Sequence, residues 1–266
     1  MNSRKFAYVA AALLVIGGAA GFSDKPYDGY LTPGEFEVTN ILPPAPQAGD
    51  ARYEADRAVF RGTRALLGTP RGALATSDVV TSPAALMRDF SCAAGVALTP
   101  ENAPKLAYLV KRAGTDTGAQ TNMAKDTFKR LRPFKIDEGE TCQPKEELAD
   151  SYDYPSGHTT RGWTWAMILA ELAPDRAQAI FTRGRAYGES RFVCGAHNQS
   201  AVEAGFISAS TTMALVRAKP AFKTDLEAAR AELAALRADP ATPKPQGCEA
   251  EAALIATPVT IPSAGH

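Results

Sequence analysis

Between residues 51 and 238 apolar side chains recur at helical spacing, and period-two alternation is nearly absent, so the chain reads as all-α. The stripe is sharpest over 220–238. There Phe222, Leu226, Ala229, Leu233 and Leu236 fall at i, i+4, i+7, i+11 and i+14, one face of a helix lying on a body. The segment 162–172, with Trp163, Trp165, Met167, Ile168 and Leu169, is apolar nearly all round and marks a central buried helix. Further helices are predicted at 51–67, 83–93 (opened by Pro83), 101–113 (after Thr99-Pro100-Glu101), 117–130, 174–188 and 198–217. On either side the pattern fades. Residues 21–50 carry Pro33, Pro43, Pro44 and Pro46 and read as an extended arm, and 239–266 is a Pro- and Ala-rich tail. No internal repeat is found.

Composition narrows the class. A chain of 266 residues, 45% hydrophobic and 22% charged, can bury one sizeable core. A formal net charge of zero gives no basis for a nucleic-acid or acidic-membrane partner. Arg4 and Lys5 precede an apolar run over 6–20 that ends in Gly18-Ala19-Ala20, which reads as a secretory signal peptide over 1–20. The run is short of the about 20 residues a membrane span needs. Its removal would leave 27 basic against 29 acidic residues, a formal charge of −2. Periplasmic or secreted localisation follows. Cys92, Cys142, Cys194 and Cys248 are then an even set in an oxidising compartment, consistent with two disulfides in any of three connectivities. None has Cys-x-x-Cys spacing, and no metal site is expected.

Candidate chemistry gathers around histidine. The chain has three, and His266 is terminal. His158 follows Tyr154-Pro155-Ser156-Gly157, directly before the central helix, where free backbone N–H groups form an anion site. A simple helix cap would use the same residues. His197 follows Ser190-Arg191 and the Cys194-Gly195 break. Lys125 and Arg132, seven apart, fit one helix face about 10 Å apart along the axis. A solvated basic face would look the same, with Lys129 and Arg130 nearby.

Together, Lys125-x6-Arg132-Pro133, Pro155-Ser156-Gly157-His158 and Ser190-Arg191-x5-His197 resemble the three-part signature of the PAP2 phosphatase and vanadium haloperoxidase superfamily. The chain most resembles the bacterial class A non-specific acid phosphatases, also in Tyr30-Leu31-Thr32-Pro33, Arg132-Pro133-Phe134, Thr141-Cys142 and Val193-Cys194-Gly195. The resemblance covers nearly all of the chain after residue 20. It implies a single compact helical bundle domain over 51–238 that hydrolyses small phosphate monoesters to inorganic phosphate without a metal or other cofactor. It also implies the roles. His197 would be the nucleophile and form a phosphohistidine. Lys125, Arg132, Arg191, Ser156 and the Gly157 N–H would bind the phosphoryl oxygens. His158, starting as imidazolium, would protonate the leaving alcohol. Related proteins are often homo-oligomers. Placement beside the motifs implies the pairs Cys142–Cys194 and Cys92–Cys248.

One position departs from the signature. An aspartate is expected four residues after the nucleophile, and this chain has Ala201. Asn198 stands where a tryptophan is common, and Glu203, about 200° around a helix, is a poor substitute for the aspartate. A backbone carbonyl, or a carboxylate from elsewhere, is expected to orient His197. Losing such an orienter costs up to about 10⁴-fold in serine proteases, and a smaller effect is expected with the cradle intact. A weakened homologue that binds phosphate or phospho-ligands is the second reading, and a vanadium haloperoxidase the third. Cys-x5-Arg, Arg-His-Gly and paired-aspartate metal motifs are missing from the sequence, and Ser156 lacks a Gly-x-Ser-x-Gly elbow.

Overall fold

The computed structural model describes residues 27–260. The expected signal segment and His266 lie outside these. The described residues form α1 (Ala51–Thr63), α2 (Pro70–Ser77), α3 (Pro83–Ala94), α4 (Pro104–Phe128), α5 (Gly157–Leu172), α6 (Ala177–Val193), α7 (Gln199–Val216), α8 (Pro220–Ala238) and α9 (Cys248–Ile255), with short 3-10 turns and no strand among them. The fold is all-α.

Four elements differ from the sequence pattern. The helices predicted at 101–113 and 117–130 are one continuous helix, α4, opened by Pro104 at its first turn. Gly114 and Gly118 weaken its interior by about 1 kcal/mol each relative to alanine. The buried series Leu106, Leu109, Val110, Ala113, Thr117 and Thr121 runs straight past them, so packing outweighs propensity. The helix predicted at 51–67 ends at Thr63 and continues as a single 3-10 turn, Arg64–Leu66. Helices α2 and α9 are too short to show a period. The first is opened by Thr69, whose hydroxyl accepts from the Gly72 N–H.

Helix α5 is the centre, in contact with α4, α6 and α7. Trp165, Ile168 and Leu169 of α5 share one core with Phe90 of α3, Leu106 and Leu109 of α4, Tyr187 of α6, Met213 of α7 and the α8 stripe. Within that stripe Phe222, Leu226, Ala229 and Leu233 are buried, and Leu236 packs partly against the core. Burial of Phe222, Leu226 and Leu233 contributes about 1.5–3 kcal/mol each.

Close helix approach places the start of α5. A side chain at Gly205 of α7 would meet Thr159 Cβ at 2.8 Å and the Ser156 carbonyl at 2.9 Å. The bare backbone there lets α7 lie directly on the first turn of α5. Two disulfides close the periphery. Cys92–Cys248 ties the tail to α3, and Cys142–Cys194 ties the loop after α4 to the end of α6. The Cys142 N–H also donates to the Cys194 carbonyl at 3.0 Å.

Candidate active site

The end of α4, the start of α5 and the α6–α7 junction converge on one buried cluster of cations and imidazoles. Lys125 sits in the last turn of α4. Lys129, with φ of 48°, closes that helix in the left-handed region. Arg132 is therefore not on a helical face shared with Lys125, as the spacing suggests. It enters from the extended segment after the helix, and the pair meets because the chain turns back. Nor do Lys129 and Arg130 form a common solvated face. Lys129 is exposed, but Arg130 is buried against Asp56 at 2.6 Å and lies 3.6 Å from Asp153.

Ser156 is the N-cap of α5, and its hydroxyl oxygen accepts from the Thr159 N–H at 3.3 Å and the Thr159 hydroxyl at 3.0 Å. Gly157 opens the helix, so its N–H and that of His158 have no acceptor within it. Arg191 lies in the last turn of α6, Cys194 caps it, and Gly195 reverses the chain at φ of 79°. Any side chain on Gly195 would also strike the Arg64 guanidinium, 2.5 Å away. His197 returns over Arg191, the His197 N–H donating to the Arg191 carbonyl at 3.2 Å.

His197 Nδ1 faces two acceptors, the Asp153 carbonyl at 2.8 Å and Asp153 Oδ1 at 3.0 Å. Nδ1 is therefore the protonated nitrogen, and Nε2 carries the lone pair. Arg132 Nη1 donates toward that lone pair at 3.1 Å. Arg132 also donates to the carbonyls of Ser151 (2.7 Å) and Ala196 (2.8 Å). Lys125 Nζ donates to the Tyr152 carbonyl. Arg191 donates from Nη2 to Gln143 Oε1 at 2.6 Å, while its buried Nε and Nη1 have no partner.

Lys125, Gly157 and His158 line a cleft of about 240 Å³ with Thr121 and Asn122. His197, Arg132 and Arg191 do not line it and are only 3%, 4% and 0% exposed, and Arg132 lines a separate cavity of about 260 Å³ with Ser151 and Tyr152. The cleft shares Thr81, Gly114, Gly118, Asn122 and Arg161 with a larger apolar groove of about 480 Å³ that reaches Leu86, Val110 and Trp165. Among the described residues, no group of three or more His, Cys, Asp or Glu side chains could hold a metal ion.

The cluster's electrostatics follow from burial of like charges. Burial, then Arg132, lowers Lys125 to about 7. Burial lowers Arg132, and lowers Arg191 to about 10. Burial, then Arg132, Lys125 and Arg191, holds His197 well below the usual imidazole range, and so neutral. His158 is half-buried at the cleft, with Nε2 donating to the Val79 carbonyl at 2.9 Å. Desolvation of its ring and the charge of Arg191 push it the same way. His158 is thus neutral in the free protein at neutral pH, not the imidazolium that a resting proton donor would need.

Asp153 and Gln143 are absent from the sequence reading, and Asn198 and Arg130 enter it without the roles that their contacts give them, holding Asp153 and pairing with Asp56. Only Asp153 left a readable trace. It is a carboxylate immediately before the Tyr-Pro-Ser-Gly-His turn, in a chain that lacks one at position 201.

The PAP2 superfamily model matches residues 106–224, which hold every candidate site residue. The chain is 42% identical over 212 residues to a Zymomonas mobilis protein named acid phosphatase, covering 79% of this chain and 80% of that one. It is 36% identical over 200 residues to a Providencia stuartii protein named non-specific acid phosphatase, covering 74% and 81%. A Salmonella typhimurium protein of the same name is 36% identical over 195 residues, covering 72% and 78%.

Proposed function

The chain belongs to the PAP2 superfamily, and we propose that it is an acid phosphatase that hydrolyses phosphate monoesters through a phosphohistidine at His197, with no metal. One observation carries this reading. A neutral His197, its Nδ1–H tied to Asp153, turns an unprotonated Nε2 toward the Arg132 guanidinium, in a cluster where the cations outnumber the one carboxylate. Lys125, Arg132 and Arg191 can take the non-bridging phosphoryl oxygens, and the Gly157 N–H at the α5 start can add to them. Ser156 contributes chiefly by capping α5, with its hydroxyl hydrogen left to donate.

His197 Nε2 attacks phosphorus, and the bond to the ester oxygen breaks as the P–N bond forms. The leaving oxygen takes a proton from His158. Water then gives a proton back to His158 while its oxygen displaces Nε2, releasing inorganic phosphate. Nucleophile and acid need opposite protonation states. Burial first and the Arg191 charge second keep His158 neutral; a bound phosphate dianion offsets the Arg191 charge, so substrate and proton bind together. His197 remains tied behind Arg132 and Lys125. Low pH supplies that proton, which supports an acid optimum. The leaving group would lie along the apolar groove beyond His158.

Two disulfides suit an exported protein, and we place it in the periplasm or outside the cell. No helix among the described residues is long and apolar enough to cross a membrane. The reading of a non-catalytic phosphate binder rests on Ala201 alone, and the Asp153 contact with His197 removes its motive. Rapid denaturing quench with p-nitrophenyl phosphate, followed by mass spectrometry of the peptide holding His197, tests the mechanism. Phosphate on His197 is expected, with turnover insensitive to EDTA and inhibited by vanadate. Steady turnover with no adduct on His197 would overturn it.

A further inference from the structure

We infer that Asp153 is the positioning residue for His197, a carboxylate supplied from the loop before α5 in place of one on α7, and that Ala201 is therefore no defect. The inference rests on the phosphohistidine reading and adds to it which group sets the tautomer of the nucleophile.

Asp153 is fully buried, and its carboxylate is surrounded by donors. Oδ1 accepts from His197 Nδ1 at 3.0 Å and from the Asn198 N–H at 3.1 Å. Oδ2 accepts from Asn198 Nδ2 at 2.8 Å, with Arg130 Nη1 at 3.6 Å. Burial raises the Asp153 carboxyl above the usual range, against Arg130 and the Asn198 hydrogen bonds, but a protonated acid would turn one O–H against these donors, so the geometry fits the anion.

Asn198 is built for this task at the expense of another. It occupies the N-cap position of α7, where an Asn side chain ordinarily accepts from the first turn, yet it makes no such bond. Asp56 of α1 does that work instead, accepting from the Ser200 N–H at 2.8 Å. The Asn198 amide is thereby free to hold Asp153.

Position 201 could not serve as well in this chain. Its methyl group is fully buried in a hydrophobic cluster with Val38, Leu42, Ala124 and Tyr154. A carboxylate there would lose its hydration among apolar neighbours. The segments are also docked by backbone, the Ser156 N–H donating to the Ala201 carbonyl at 2.9 Å. The α7 backbone thus fixes the loop that carries Asp153.

Asp153→Asn keeps the shape and the Asp153 carbonyl acceptor but removes the charge. The expected loss in kcat is about 10- to 100-fold, less than the roughly 10⁴-fold seen when a triad aspartate is amidated, because the carbonyl still holds Nδ1–H. The inhibition constant for inorganic phosphate at acidic pH should move less than about threefold, since Lys125, Arg132 and Arg191 all remain, although the first two lose the nearby charge of Asp153. The acid limb of kcat/KM should shift to lower pH, because the imidazolium loses its counter-charge. Ala201→Asp should lower the melting temperature and not raise kcat. The ¹⁵N shifts of His197 should report Nδ1–H in the wild-type protein, a readout independent of turnover. A folded Asp153→Asn protein with unchanged kcat and acid limb, or an Ala201→Asp protein with raised kcat, would overturn the inference. A wild-type protein without phosphatase activity would instead defeat the underlying reading.

Discussion

Two clusters of buried charge lie back to back across the last turns of α6, and adjacent residues divide between them. Ser190 belongs to the first. Its hydroxyl donates to Asp78 at 2.6 Å and accepts from Arg71 at 3.0 Å, while Arg183 meets Asp78 at 2.6 Å. Arg191 belongs to the second, where Lys125, Arg132, His158 and His197 crowd together and the carboxylate acting on Lys125 and Arg132 is Asp153, already turned to His197. Burial lowers Arg183, but Asp78, Glu251 and Asp89 together outweigh it and the net shift is upward. In the second cluster burial wins at each cation. A matched buried cation staples helices together; an unmatched one holds electrostatic energy that an arriving anion can release.

The comparison can be broken in order of expected effect. His197→Ala should lower kcat/KM for p-nitrophenyl phosphate by at least about 10³-fold, as for removal of a covalent nucleophile. A variant with full rate would remove the second cluster from catalysis. Next comes a matched pair of substitutions at the two arginines. Arg183→Met strands Asp78 and should cost about 3–5 kcal/mol in denaturant unfolding. Arg191→Met removes an unpaired buried cation. It should leave stability unchanged or raise it, while kcat falls about 10²-fold or more. If both variants lose stability equally, the two clusters are one kind of structure.

The Lys125 charge gives a third, smaller effect. A lysine near 7 is protonated below that pH and neutral above it, so phosphate inhibition should weaken about tenfold per pH unit once pH exceeds roughly 7. Lys125→Met should flatten this limb, measured as the phosphate inhibition constant from pH 5 to 8. Folding follows the opposite sign. Because the folded value lies below the unfolded 10.5, the unfolded chain binds more protons between about 7 and 10.5, and stability falls as pH drops through that window. The smallest effect concerns the groove. A side chain at Gly118 would point into open space, so Gly118→Leu should fold normally. It should raise KM for naphthyl phosphate several-fold more than for glycerol phosphate.

The two clusters also differ in how legible they were. Lys125, Arg132, Gly157, His158, Arg191 and His197 could be picked from short motifs, because a phosphoryl group dictates the types and local order of its ligands. The matched cluster left no such trace. Asp78 and Arg183 are 105 residues apart, and nothing in either neighbourhood announces the other. Asp153 is an intermediate case. Its position before Pro155 was visible, but its partner Asn198 is 45 residues away and became meaningful only once Asp56 was seen capping α7. In the fold, the α8 stripe is readable because its apolar period is strong, whereas the sequence pattern divides α4 between 113 and 117, beside Gly114, whose cost is absorbed by packing.

The sequence alone determined the helical class, the buried character of α5, and the set of cations and imidazoles, since periodicity and ligand chemistry are local properties. The tertiary structure decided which charges are paired, that His158 is neutral at rest, and that Asp153 and not residue 201 holds His197. Those outcomes depend on desolvation and on contacts between segments far apart in the chain, and both exist only after the helices have packed.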